Sequence, residues 1–140
     1  MLFRSNRMIF AYMNNSFEMN RLKANLTNII EKLEFLPDSI IVDGLDFENT
    51  GRDIFEGFKA VAEEFNVEIW FSALTHRDNA DTNENGIPYP CSQMEDLFST
   101  IIQLQPTHSG VFLKLLKDHG SPVSGDASVR LDPNTFLATV

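Results

Sequence analysis

Between Leu36 and Phe47 the chain reads LPDSIIVDGLDF, and this stretch limits the fold more than any other. Pro37 and Asp38 break whatever precedes them, because proline has no amide to donate and restricts the residue before it. Ile40, Ile41 and Val42 are all β-branched, which predicts a short strand, Ser39 to Val42, buried on both faces of a parallel sheet. The run stops at Asp43, and Gly44, Leu45 and Asp46 follow. An acid at the carboxyl end of a buried parallel strand lies where open α/β sheets bind ligands. One use of such an acid is to hold a Mg²⁺ that bridges nucleotide phosphates. The other reading gives Asp43 and Asp46 no chemistry: they cap the strand and open the next turn.

The flanking sequence builds outward from that strand. Arg7 to Met13, RMIFAYM, reads as a strand. Asn15 with Glu18 has the form of a reciprocal helix cap. Leu22, Leu26, Ile29, Ile30 and Leu33 then recur at helical spacing and predict a helix with one apolar face. Thr50 and Asp53 offer another cap pair. Ile54, Phe55, Phe58, Val61, Ala62 and Phe65 form a second helical stripe, and Val67 to Leu74, VEIWFSAL, reads as the third strand. This β-α-β-α-β order with short joints favours parallel strands and right-handed crossovers.

The rhythm then changes. His76 to Ser92 is polar, acidic and rich in turn residues, and is expected to form a mobile, functional or disordered loop. A short helix is expected over Gln93 to Phe98. Three strands, Thr100 to Leu104, Val111 to Lys117 and Ser128 to Leu131, are joined by hairpin-type turns. One domain, residues 1–140, accounts for the whole sequence, with a real core at 43% apolar content.

Charge excludes some partners. Twenty acids against 11 Lys and Arg leave a formal charge of −9, and no basic cluster offsets it. General nucleic-acid binding is therefore not expected, and the acidic loop opposes DNA in particular. Cys91 is the only cysteine, so no intrachain disulfide can form and a reducing compartment fits best. It has no CxxC partner, and His76, His108 and His119 show no ligand spacing, so no zinc site is expected. Met8 to Met13 is too short for a signal or membrane segment. A soluble, cytoplasmic chain without membrane contact is the expectation.

Taken in order, these segments resemble the second half of a RecA-like P-loop ATPase core, the group of RecA, RadA, KaiC and the hexameric helicases. SIIVDGLDF resembles the Walker B strand, which implies Asp43 as the metal-linked acid. VEIWFSALTH resembles the next strand, whose polar sensor would fall at Thr75 or His76. STIIQLQ, GVFLKLLKDHG and SVRLD resemble the closing strands. In many relatives the middle one ends in Lys-x-Arg or Lys-x-Lys and reaches a neighbouring subunit's nucleotide. Here Lys117 matches, whereas His119 departs. The fold so implied is α/β: a three-layer, RecA-like partial domain, its sheet mainly parallel with closing antiparallel strands. The nucleotide-site remnant is Asp43, Thr75, Lys117 and His119. Taken without the resemblance, Lys117 is a solvated residue at a strand end.

The departures bear on function. No G-x-x-x-x-G-K-[ST] occurs, so no loop of amides and no P-loop lysine cradles phosphate. The strand carrying the family's catalytic Glu would precede residue 1, and Glu18 is not assigned that role. The isolated chain should need no cofactor and hydrolyse no ATP; Mg-ATP is implied for an intact parent, with Asp43 on Mg²⁺ only when the missing half is present. The alternative is a stand-alone interaction or regulatory module on a degenerate ATPase fold. A receiver-like or flavodoxin-like domain is disfavoured by the closing strands. The resemblance sets the P-loop strand between the sensor strand and the first closing strand. With that strand absent, either Thr100–Leu104 closes the Val67–Leu74 edge within the chain or a second molecule pairs across it, and an oligomer is the expectation; the partners implied are the missing amino-terminal half or another copy.

Overall fold

The computed structural model describes residues 7–13, 16–75 and 81–139. The chain is mixed α/β, with helices α1 (Met19–Leu33) and α2 (Arg52–Phe65) and strands β1 (Ser39–Val42) and β2 (Glu68–Phe71) in its first half. A 3-10 helix, Cys91–Leu97, leads to β3 (Ile101–Thr107), β4 (Gly110–Asp118), β5 (Ser121–Pro122) and β6 (Ser128–Leu131).

β1 and β2 pair in parallel, Ser39 opposite Glu68 and Val42 opposite Phe71, with α2 as the crossover. Both helices lie on one face of this pair. Leu22, Leu26 and Ile29 of α1 and Phe58 and Val61 of α2 are buried together, and Ile40, Val42, Ile69 and Phe71 pack against them. Each helix ends on a left-handed residue, Glu34 at φ 51° and Asn66 at φ 52°. The Asn66 cap returns its N–H to the Ala62 carbonyl, which satisfies an otherwise orphaned helix-end acceptor. A second cluster, Phe47, Phe55 and Met94, fastens the 3-10 helix to α2.

The remaining strands form an antiparallel sheet. β3 and β4 pair from Ile101–Lys117 to Thr107–Gly110 with a register shift between Ile101 and Ile102. β5 and β6 both pair with β4. Gly110 closes the β3–β4 turn at φ 139°, a conformation suited to glycine.

Several expectations are corrected. The sheet is not mainly parallel: among the described residues two strands are parallel and four belong to the antiparallel sheet. β1 is not buried on both faces, since Ile41 is 78% exposed and Trp70 beside it on β2 is 42% exposed. Arg7 to Met13 forms no strand; it is tied down instead through Tyr12, whose ring meets Phe17 edge-on and whose hydroxyl accepts from Asn25 Nδ2 at 3.2 Å. Asn15 lies outside the described residues, and Glu18 is itself the α1 N-cap without a side-chain bond. The α2 N-cap is Gly51, not Thr50. β3 does not close the edge of β2: among the described residues it pairs with β4 alone.

The expected loop is irregular structure where it is described ahead of the 3-10 helix. Its first part, His76 to Ala80, lies outside the described residues. Residues 81–92 are held by specific bonds: Asn83 Oδ1 accepts from the N–H groups of Asn85 and Ile87, and Asn85 Nδ2 donates to Glu95 Oε1 at 2.7 Å. Ile87, Pro88 and Pro90 are buried. Amide side chains here do the fastening that a sheet would do elsewhere.

Leu26→Ala removes a side chain that is 2% exposed and should cost about 2–5 kcal/mol in denaturant unfolding. Ile41→Thr, on the uncovered face, should stay within about 0.5 kcal/mol of wild type.

Candidate functional site

The β1–β2 register carries one residue further than the strands themselves. Ser72 N–H donates to the Val42 carbonyl at 3.1 Å, so Asp43 and Ser72 leave the sheet side by side. The Ser72 hydroxyl donates to Asp43 Oδ1. A carboxylate and a hydroxyl thus meet at the carboxyl ends of adjacent parallel strands, both exposed. Hard oxygen donors of this kind suit Mg²⁺, which takes one or two carboxylates and fills its remaining positions with water or phosphate.

Asp46 has the other role considered for these acids. Its Oδ1 accepts from the N–H groups of Glu48 and Asn49, at 3.0 and 3.2 Å, and its Oδ2 accepts from Asn49 Nδ2 at 2.8 Å. The Asn49 bonds, above all, hold its carboxyl below the usual range. Asp46 builds the turn, and Asp43 is left facing Ser72.

The other sequence-derived residues separate. Thr75 is exposed and outside regular structure. Lys117 is 6% exposed, so it is neither a solvated strand end nor a side chain reaching outward. Its Nζ donates to the Glu95 carbonyl at 2.6 Å. Leu116 and Lys117 are the two buried residues of β4, at the register shift that leaves Leu116 unpaired between Lys117 and Leu115. His119 is left-handed at φ 46°, and its 93% exposed side chain places Nδ1 2.8 Å from Asp118 Oδ1. Lys117 and His119 therefore share no site with Asp43 that these contacts define.

Beside β2 runs a groove of about 500 Å³. It is lined by β2, by Asp96 to Thr100 with Lys117 and Gly120, and by α2 at Phe55 and Phe58. Glu68 and Ser72 direct their amides to β1. Alternation along a parallel ladder turns the amide and carbonyl groups of Ile69 and Phe71 away from β1, toward the groove side. At the groove's end Arg52 spans α2 and the 3-10 helix, donating to Asp96 and Glu56. This pairing holds the Asp96 carboxyl below its ordinary value.

Cys91 is half-buried, and burial pushes its thiol up, which agrees with an unactivated cysteine. Among the described residues no three His, Cys, Asp or Glu side chains group to hold a metal ion. No helix among them is long and apolar enough to cross a membrane. No protein-family model matches the sequence, and no curated protein matches it.

Sequence reasoning missed Ser72 and the groove. Ser72 was within reach: once Val42 and Phe71 are opposed, the residues after them are opposed as well. The Arg52–Asp96 and Lys117–Glu95 contacts join segments far apart in the chain, and no local pattern announces them.

Lys117→Ala deletes a charge-assisted hydrogen bond and buried methylenes. It should cost about 2 kcal/mol or more by thermal or denaturant unfolding, where a solvated lysine would cost almost nothing. The Arg52–Asp96 pair also predicts a pH dependence. Its carboxyl is depressed in the folded chain, so its contribution is fully present above the ordinary Asp value and is lost as pH falls through the folded value. Asp96→Asn should therefore flatten the loss of stability on acidification below about pH 4 while lowering the neutral plateau only slightly.

Proposed function

We propose that this chain is the acid-bearing portion of a RecA/KaiC-like P-loop ATPase domain and is not catalytically competent alone. The observation that carries the reading is a parallel sheet unfinished in two directions, with an acid at its carboxyl end. Parallel sheets occur almost only with both faces covered. Here one face is dressed by α1 and α2, while Ile41 and Trp70 are exposed on the other. The outer edge of β2 is unpaired among the described residues. Further polypeptide on that face and edge would complete a three-layer domain. The groove also agrees with the resemblance, which sets the P-loop strand between the sensor strand and the first closing strand.

In this reading Asp43 and Ser72 are the residues that would hold Mg²⁺ when nucleotide is present. The metal would supply charge neutralisation between phosphate oxygens. This chain's own contribution is to fix the Asp43 carboxylate, through Ser72, at the mouth of the sheet. Phosphate itself finds no cradle in this sequence, and Lys117 is committed to Glu95. The site is thus half of what phosphoryl transfer needs.

That same commitment of Lys117 favours a second reading, a stand-alone interaction or regulatory module without nucleotide chemistry. The coding sequence upstream of Met1 separates the two: a G-x-x-x-x-G-K-[ST] in frame supports the first, and a stop codon the second.

Calorimetric titration of the isolated chain with Mg-ATP should give no heat of binding at micromolar concentrations. A clear micromolar Kd would overturn the claim that phosphate recognition lies elsewhere. In the chain extended by an upstream P-loop, binding should appear and should weaken on Asp43→Asn; an unchanged affinity would remove Asp43 from the site.

A further inference from the structure

The groove beside β2 has an edge that bonds like a strand, and the same chain holds an unspent strand. Ile69 and Phe71 direct their backbone groups away from β1. The groove is also lined by Asp96 to Thr100. A second copy's β2, fixed within its own sheet, is a poor fit to such a channel. A free extended segment fits it better.

Arg7 to Met13 is such a segment. Its residues, RMIFAYM, have strand composition, yet they form no strand here. Ile9 is 90% and Met13 84% exposed, and Met8 and Phe10 are each 39% exposed. Extended, the five residues Arg7 to Ala11 span about 17 Å, and the four of β2 need only about 13 Å. Tyr12 is the tether, held by Asn25 and Phe17; residues 7–11 lie along no strand or helix.

Charge selects this segment as well. Two chains of −9 repel each other. The segment carries Arg7 and no acid, so it is a part of the surface that can approach a second copy without adding to that repulsion. The groove walls are balanced, Glu68 and Asp96 against Lys59 and Lys117.

We propose that the isolated chain forms a two-fold dimer by strand exchange, Arg7–Ala11 of each copy, ahead of the Tyr12 tether, adding to the free edge of β2 in the other. The amides and carbonyls of Ile69 and Phe71 gain partners, and the exposed apolar side chains of the segment leave water. The inference rests on the open groove and holds whether or not the parent is an ATPase.

Light scattering during size exclusion at about 50 µM should give twice the 15.9 kDa chain mass, falling toward one chain on dilution. Ile9→Asp changes a side chain with almost no packing in the single chain, so the fold survives, as circular dichroism would show, and the mass should fall to that of a monomer. Hydrogen exchange at Ile69 and Phe71 should be about tenfold or more slower in the wild-type dimer than in Ile9→Asp. A monomeric wild type overturns the proposal, including one with protected Ile69 and Phe71 amides, which means insertion within one chain. A dimer that persists in Ile9→Asp overturns it too, as does an assembly larger than two chains.

Discussion

Phe71 is the side chain on which both halves of the molecule depend. Its ring lies 5.1 Å from Phe58, 5.7 Å from Phe98, 5.9 Å from Phe55 and 6.1 Å from Phe47. It packs against the α1–α2 core and also against the cluster that anchors the 3-10 helix. Edge-on and tilted ring pairs of this kind add to the gain from burial. The antiparallel sheet is therefore joined to the parallel pair by aromatic packing rather than by a shared ladder. Arg52 and Lys117 reinforce the joint, one through Asp96 and the other through the Glu95 carbonyl.

That arrangement explains how two strands can persist as a parallel pair. Two strands alone offer few hydrogen bonds, and β1 and β2 are each four residues long. Their stability comes from one face only, where Ile40, Val42, Ile69 and Phe71 alternate inward. The other alternating set, with Ile41 and Trp70, gains little from folding. A mixed outcome follows from period-two geometry: the same β-branched run that makes the strand leaves half its apolar surface in solvent.

Much of this was legible in the sequence. The bounds of β1 and β6, the stripes of both helices apart from Leu33, which is exposed at the end of α1, and the three closing strands follow from apolar periodicity and turn residues, because each is a local consequence of side-chain spacing. Asp43 at a strand end was legible for the same reason. Burial on both faces of β1 was not, since periodicity says that a run is apolar without saying what covers it. Arg7 to Met13 has strand composition and no paired neighbour among the described residues, and strand formation requires a partner that composition does not supply. Lys117 shows the opposite failure: a charged residue next to a turn reads as solvated, yet β4 carries it to the Glu95 carbonyl. The loop after β2 is legible from its turn residues, but the bonds from the Asn83 and Asn85 amides to Glu95 are not.

The uncovered face has an optical consequence. Trp70 is the single tryptophan of the chain, and its indole N–H is engaged by Glu68 at the surface of the sheet. The indole therefore stands between the groove and the bare face, partly in water. Any polypeptide that settles on either side changes the polarity around that one ring. The protein thus carries its own emission probe, unmixed with signal from other tryptophans, at the place where its sheet is incomplete.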